Sequence, residues 1–540
     1  MGTELFRPVE GVQEHWVVVF RFDSREHLEG WLASGARGRL LEEGRAYFAS
    51  YDVRQVGSAF SGWFRFDKGA REAAPPIEGV MMPGRSRAAR FEGSLLRRGD
   101  DAYECARTAA VWNGLTPERF PDVIVRAGSE RDVAEALAYA RSEGLRVSTR
   151  SGGHNWSGSQ LRDGSLLIDL AGLRRCDVDP ASATATVGPA ATGQDLVAAL
   201  APYELAFPVG HCPSVAVGGF LLSGGLGWNS RAWGPSCADV LEIQVVTADG
   251  RTLTCGEREH PDLFWAARGA GPGFFAVVTR FRLRLHPRPG SVLTTGLTFP
   301  AAATGAVAAW AEDVARELPV NVETALVLTA SGEPTATVPP GPRLVLRCTV
   351  FATTHEEARA ALSPVEACPF ADSAVSRQPA APTSIARLNE GAGAVWPSAH
   401  RYAADTLWSA QTYETQLTRL AGAVARAPSA KSLVLAPVLP VSEDPALLRN
   451  MAFAPLGESY LVCYAVWDDP AADGANAQWL REAMASADPS GHGGHYVAEA
   501  DLEAGADRAR RSYAPAAWDR LQELKAAWDP DNVFHSYLAP

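Results

Sequence analysis

An α+β protein of two lobes, with a small α+β appendage at its N-terminus, is the fold class this sequence predicts. Three observations carry that expectation. The chain has 540 residues, and at roughly 150 residues per folding unit it has room for three or four units. From Asp122 onward strand-like and helix-like stretches alternate, as in a βαβ unit. Beyond Pro289 the pattern changes to strands separated by helices, as in an antiparallel α+β sheet.

The elements follow in order. Residues 16–22 read as a strand, and Asp23 with Glu26 offers a capping box for a helix carrying Leu28, Trp31 and Leu32 on one face, stopped at Gly35. A second helical stretch at 40–47 and an extended segment at 51–56 lead to Trp63 and Phe64. Residues 67–93, rich in Arg, Gly, Pro and Ala, read as a linker. Residues 123–126 are a strand; Ser129 and Asp132 cap a helix whose Val133, Ala136, Leu137 and Ala140 form an apolar stripe ending at Gly144. Residues 146–149 are the next strand, followed by strands at 166–170, 184–187, 242–247 and 275–285, with Asp249-Gly250 as a hairpin turn. Later strands at 343–351, 432–439 and 460–467 are separated by helices at 306–318 and 475–487. A last helix over 515–528 turns Trp518, Leu521, Leu524 and Trp528 inward and stops at Asp529-Pro530.

Composition excludes several function classes. Hydrophobic residues at 46% and charged residues at 21% are ordinary for a globular chain, against wholesale disorder or a fibrous repeat. The net charge is −12, and with no dense Lys/Arg block nucleic acid is not expected as a partner. Eight cysteines without a CxxC pair argue against a disulfide scaffold or a zinc site and for a reduced, cytoplasmic protein. Residues 1–14 lack an apolar h-region and no run approaches about 18 apolar residues, so neither leader, anchor nor membrane span is expected.

The 49 glycines are informative where they cluster. One cluster is Ser151-Gly152-Gly153-His154-Asn155; the other runs through Gly218, Gly219, Ser223, Gly224, Gly225 and Gly227. Successive glycines let backbone N–H groups converge on an anion, so either loop suits a pyrophosphate. Each is also compatible with a tight structural turn. Neither has the GxGxxG frame of a dinucleotide fold, the glycines at 269–273 precede a strand, and no GxxxxGK[ST] occurs.

Six segments in register resemble the berberine bridge enzyme-like oxidases, within the vanillyl-alcohol oxidase and p-cresol methylhydroxylase flavoprotein superfamily. They are the stretch from Tyr103 to Trp112-Asn113-Gly114, Arg119-Phe120-Pro121, Arg150 to Asn155, Gly210-His211-Cys212-Pro213-Ser214-Val215, His260 to Trp265, and Trp528 to Phe534. The resemblance covers about 94–534 and implies a two-lobed FAD-binding protein. Its expected boundaries are an FAD-binding, p-cresol methylhydroxylase-type domain at 94–287, an antiparallel-sheet substrate domain at 288–501, and a C-terminal segment, 502–540, returning to the FAD domain. Residues 1–66 resemble half of an antibiotic-biosynthesis-monooxygenase-like, ferredoxin-like fold, at Arg21-Phe22-Asp23-Ser24, Trp31 to Ser34 and Gly62-Trp63-Phe64. That part is expected to be a structural or dimerising appendage, through which a homodimer could form.

The resemblance implies FAD bound covalently at His154 and Cys212. A neutral imidazole and a thiolate are suitable nucleophiles for an electron-poor flavin. Read alone, His154 is also compatible with a hydrogen-bonding loop histidine, and Cys212 with a small buried residue. Arg150, Val278 and Asn532 complete the expected cofactor-binding set. Val215, three residues after the cysteine, is by resemblance an oxygen gate whose valine admits O₂. The implied reaction is hydride removal from a hydroxylated secondary metabolite or a sugar, with O₂ as acceptor and H₂O₂ as product. Oxidative C–C or C–O bond formation on the same flavin, or a catalytically silent flavin protein, are the alternatives.

Hydride removal from an alcohol carbon needs a base. Tyr496 matches the tyrosine of a family Y-x-N-x-x-D segment, although Ala498 replaces the asparagine, and Glu499 is a competing carboxylate. A glutamate on a preceding strand is used by other members; residues 391–401 here contain none, leaving His400 and Tyr402 as the nearby polar candidates. His492, His495 and Glu499 have helical spacing for a metal, but the glycines at 491, 493 and 494 disfavour the helix, so no metal is expected.

Overall fold

Ser129 and Gly144 bound their helix as their chemistry demands. In the computed structural model the helix spans Glu130–Glu143; the Ser129 hydroxyl accepts from Asp132 N, and Gly144 takes the left-handed conformation at φ 69°. The structure describes residues 2–6, 17–21, 91–332, 340–398, 400–505 and 507–538. The N-terminal unit contributes one antiparallel pair, Gly2–Phe6 with Val17–Arg21. The second strand matches the expected one and the first was not anticipated; the helices and strand expected at 23–56 and the linker to 90 lie outside the described residues.

Two lobes follow, each with its own core. In the first, a four-stranded sheet is ordered Ser94–Arg97, Val123–Arg126, Ser165–Asp169, Arg146–Arg150, and Ser165–Asp169 runs parallel to both of its neighbours. The βαβ unit read at 123–149 therefore skips one strand position, which Ser165–Asp169 fills. Asp132 does more than cap: fully buried, it accepts backbone N–H groups of Glu92, Gly93 and Gly128. A five-stranded antiparallel sheet, Thr252–Gly256, Val240–Thr247, Ala276–Arg284, Thr184–Val187 and Cys176–Asp179, adjoins it.

The second lobe is a seven-stranded antiparallel sheet ordered Ser376–Thr383, Ser291–Pro300, Arg343–Ala352, Val322–Thr329, Leu433–Val438, Ser459–Trp467, Arg401–Ser409. Strand alternation divides its faces. Leu461, Cys463 and Ala465 pack with the helices Thr304–Glu317, Tyr413–Val424 and Asp473–Ala487 in one core, while Tyr402, Ala404, Val462 and Tyr464 form a cluster on the other face with Trp112 and Trp156 of the first lobe. That second face carries the candidate site.

The chain then returns to the first lobe. Val497, Ala500, Leu502 and Leu521 join its core, so the return begins a few residues before the boundary read at 501. The helix Pro515–Trp528 ends where Asp529 accepts from Val533 N at 2.6 Å and Phe534 N at 3.1 Å. The tail pairs with the edge strand: Val147 N donates to Val533 O at 2.7 Å and His535 N to Val147 O at 2.8 Å. No helix among the described residues is long and apolar enough to cross a membrane.

Candidate active site

The strand Arg146–Arg150 delivers the first glycine loop. A Cβ on Gly152 would lie 2.8 Å from the Ala216 Cβ, and Gly153, at φ +76°, would place one 2.4 Å from Ala110 O. Both positions therefore require glycine. The second cluster opens as a short helix, Val217–Leu222, stitched to the first loop by Gly219 N donating to Ser151 Oγ at 3.3 Å. A Cβ on Gly218 would meet Pro189 O and Ser151 Oγ at 2.9 Å, whereas one on Gly219 would meet nothing within 4 Å. The two loops close on each other and leave space over Gly219.

His154 and Cys212 come together over one hydroxyl. The Ser214 Oγ is 3.0 Å from His154 Nε2 and 3.5 Å from the Cys212 sulfur. Trp112 stacks on the imidazole, with ring centroids 4.5 Å apart and planes 24° apart. Burial holds His154 far below its ordinary value, at about 3; a hydrogen bond with the Ser214 backbone opposes this and the charge of Arg150 adds to it. The ring is neutral at physiological pH, the nucleophilic form.

A second cluster lies on the sheet face. Tyr464 Oη donates to Glu499 at 2.6 Å and Tyr460 Oη to its other oxygen at 3.1 Å, and the Trp156 indole is a third donor. Burial raises the Glu499 carboxyl above its ordinary value, against these three donors. Burial, followed by the Glu499 charge, pushes both phenols up, and the Cys212 sulfur is near enough to add to the shift at Tyr464. Trp156 joins the clusters, edge-on to Tyr464 at 5.5 Å and to Trp112 at 5.7 Å. The segment bearing Glu499 is fixed from below: Tyr496 N donates to Thr406 Oγ1 at 2.8 Å, and Asp501 N to Asp405 Oδ1 at 3.1 Å.

Sequence comparisons match this geometry. Residues 121–256 match the FAD binding domain family, which spans both glycine loops and Cys212, and residues 495–539 match the berberine and berberine-like family, which holds Tyr496 and Glu499. An FAD-linked oxidoreductase of Penicillium ochrochloron is 31% identical over 444 residues, covering 81% of this chain and 94% of that protein. The chain belongs to the berberine bridge enzyme-like FAD-linked oxidoreductases. This oxidoreductase also shares 35% identity over 209 residues with (R)-6-hydroxynicotine oxidase of Paenarthrobacter nicotinovorans, 39% of this chain and 45% of that one. Its fold is that of 6-hydroxy-D-nicotine oxidase from Arthrobacter nicotinovorans, with a TM-score of 0.72 at 23% identity over 84% of this chain and 99% of the other. It is also that of glucooligosaccharide oxidase from Acremonium strictum, described with a 6-S-cysteinyl, 8α-N1-histidyl FAD, with a TM-score of 0.71 at 19% identity over 83% and 97%.

The donor set of the oxidoreductase fits FAD: two glycine loops with free space over Gly219, and a neutral imidazole beside a thiol. Other expected residues serve that cradle at one remove. The Arg150 guanidinium donates to Asp169 at 2.9 Å and to the carbonyls of Ala109 and Gly152, bracing the first loop. Asn155 Oδ1 accepts from Ser159 N at 3.1 Å, and Ser223 Oγ donates to Gly219 O at 2.9 Å. Added Cβ atoms on Gly224, Gly225 and Gly227 would strike Phe453, Ser236 and Pro208 O, so these three pack against protein. Val215 O accepts from Gly193 N at 2.9 Å, and Val278 is buried in the strand Ala276–Arg284. Asn532, at φ 53°, sits in the C-terminal turn, where it accepts from Lys525 and Arg146.

Of the four base candidates, the structure brings only Glu499 into the tyrosine cluster by its side-chain hydrogen bonds. Tyr496 Oη accepts instead from Gly225 N at 3.1 Å and from Leu226 N, and burial raises it. The Tyr402 hydroxyl donates to Pro397 O at 2.7 Å. His400 pairs with Asp468, which also holds Lys431, in an exposed ion cluster. His495 Nδ1 donates to Thr406 O at 2.6 Å and its Nε2 lies against the Arg508 guanidinium, so both ring nitrogens are taken by structural contacts; no group of three metal-ligating side chains occurs among the described residues. Tyr460, Tyr464, Trp156 and Ser214 were missed from sequence. Tyr460 and Tyr464 stand four apart on one strand and so share a face, a signal that was available.

Proposed function

We propose that this protein is an oxidase that takes a hydride from a hydroxylated secondary metabolite or sugar, holds its FAD through His154 and Cys212, and passes the electrons to O₂ to give H₂O₂. When bound, FAD supplies the two-electron acceptor. The observation that carries the reading is the Tyr460–Glu499–Tyr464 cluster on the sheet face beside Cys212. Tyr464 accepts the substrate hydroxyl proton as its own proton passes to Glu499. A phenol held so far up is a poor base alone, and the carboxylate 2.6 Å away makes the pair effective. Tyr460 and the Trp156 indole hold the acceptor in place. Tyr496, the leading base by motif, is assigned as the latch joining the C-terminal segment to the second glycine loop. The aromatic faces of Trp156, Trp396 and Tyr464 suit an apolar ring or the C–H face of a sugar. Val215 is retained as the oxygen gate.

The test is anaerobic mixing of the holoprotein with a panel of hydroxylated ring compounds and oligosaccharides, following flavin bleaching, then readmitting air and measuring peroxide. Bleaching with a product two hydrogens lighter, and one peroxide per turnover, is expected. A bleached flavin that air does not restore would overturn the oxidase reading; a cyclised product would replace simple dehydrogenation.

A further inference from the structure

Ser214 stands between the two proposed attachment side chains and touches both. Its Oγ lies 3.0 Å from His154 Nε2 and 3.5 Å from Cys212 Sγ. A hydroxyl has one proton to donate and lone pairs to accept with, and two orientations satisfy both contacts: it accepts from Nε2–H and donates to sulfur, or it donates to Nε2 and accepts from S–H. If the oxygen accepts from Nε2–H, the hydroxyl proton is left to donate to the sulfur. That orientation fixes the imidazole tautomer, because a proton on Nε2 in a neutral ring leaves the lone pair on Nδ1. Trp112, stacked on the ring, holds its plane. The same hydroxyl fixes the position of the Cys212 sulfur beside the imidazole.

We propose that Ser214 is the positioning residue for cofactor attachment, setting Nδ1 of His154 and Sγ of Cys212 as the two nucleophiles through one hydroxyl. This rests on the double-attachment reading above. Attachment at histidine forms one N–C bond to the 8α carbon and breaks the imidazole Nε2–H bond and one methyl C–H bond. Attachment at cysteine forms one S–C bond at C6 and breaks the S–H bond and the ring C–H bond. Each releases two protons and two electrons, and dioxygen takes both as hydrogen peroxide. Loss of the Nε2 proton as the N–C bond forms leaves no charge on the ring, whose burial disfavours the imidazolium.

The test compares the full-length wild type with Ser214→Thr and Ser214→Val, two side chains of one shape that differ by the hydroxyl. The readouts are total flavin per folded chain from the native spectrum, flavin retained after acid precipitation, and the masses of the peptides holding residues 154 and 212. The expected result is wild-type covalent occupancy in S214T, at least a tenfold lower covalent fraction in S214V with total flavin near one per chain, and any residual histidyl link in S214V divided between the two ring nitrogens. Equal covalent occupancy in S214T and S214V overturns the proposal while leaving double attachment standing. A wild type that releases its flavin to the acid supernatant overturns double attachment itself, and the Ser214 assignment with it. Should S214V not fold, Ser214→Ala is read the same way.

Discussion

The two halves of the candidate site are built by opposite strategies. The proposed attachment side is local: His154 lies within a glycine loop and Cys212 and Ser214 within six residues of a second loop, so two short segments supply the side chains. The proposed proton-accepting side is dispersed: Trp156, Tyr460, Tyr464 and Glu499 come from three separate parts of the chain and meet only because a sheet face and the returning C-terminal segment oppose each other. Attachment requires fixed backbone geometry, which a motif can encode. Acceptance of a proton requires only a carboxylate of suitable basicity, and many arrangements of donors can tune one.

The contrast can be broken by experiment. The largest effect is expected on the attachment side, where His154→Ala with Cys212→Ala should release all flavin on acid precipitation while either single variant retains it; free flavin from one single variant would show that one bond does all the holding. On the dispersed side, Glu499→Gln should cut the rate of anaerobic flavin bleaching by about 10²–10⁴-fold and leave covalent flavin intact. Equal loss in Tyr496→Phe with little in E499Q would return the role of base to Tyr496. Tyr464→Phe removes the phenol that takes the substrate proton and relays it to Glu499, and should slow bleaching by a similar factor of about 10²–10⁴. The smallest effect is on stability. Because burial raises the Glu499 carboxyl in the folded chain, the folded state keeps a proton that the unfolded state has released. Stability therefore falls as pH rises from about 4.5 through the folded value, by at most about 1.4 kcal/mol per pH unit. Denaturant midpoints across that range should fall less steeply in E499Q than in the wild type; buried Glu323, raised to about 8, contributes its slope to both.

The same contrast explains what the sequence disclosed. The helix Glu130–Glu143 was legible because its start and stop are set by single side chains, Ser129 and Gly144. The glycine loops were legible because a Cβ at Gly152 or Gly153 would collide with backbone or Ala216. Tyr460 and Tyr464 were not, since strand alternation states which residues share a face but not which segment will oppose it. Tyr402 and His400 were selected for chemical type, and their partners, Pro397 O and Asp468, become visible only once folded. Asp132 read as a helix-capping residue and proved to be a buried anchor for three backbone N–H groups.

The tail that pairs with Val147 also sets an order of assembly. The second lobe is one continuous stretch of chain and can close as it leaves the ribosome, whereas the first lobe lacks part of its core until Val497, Leu521 and Phe534 have been made. The half of the protein synthesised earlier is thus the half completed last.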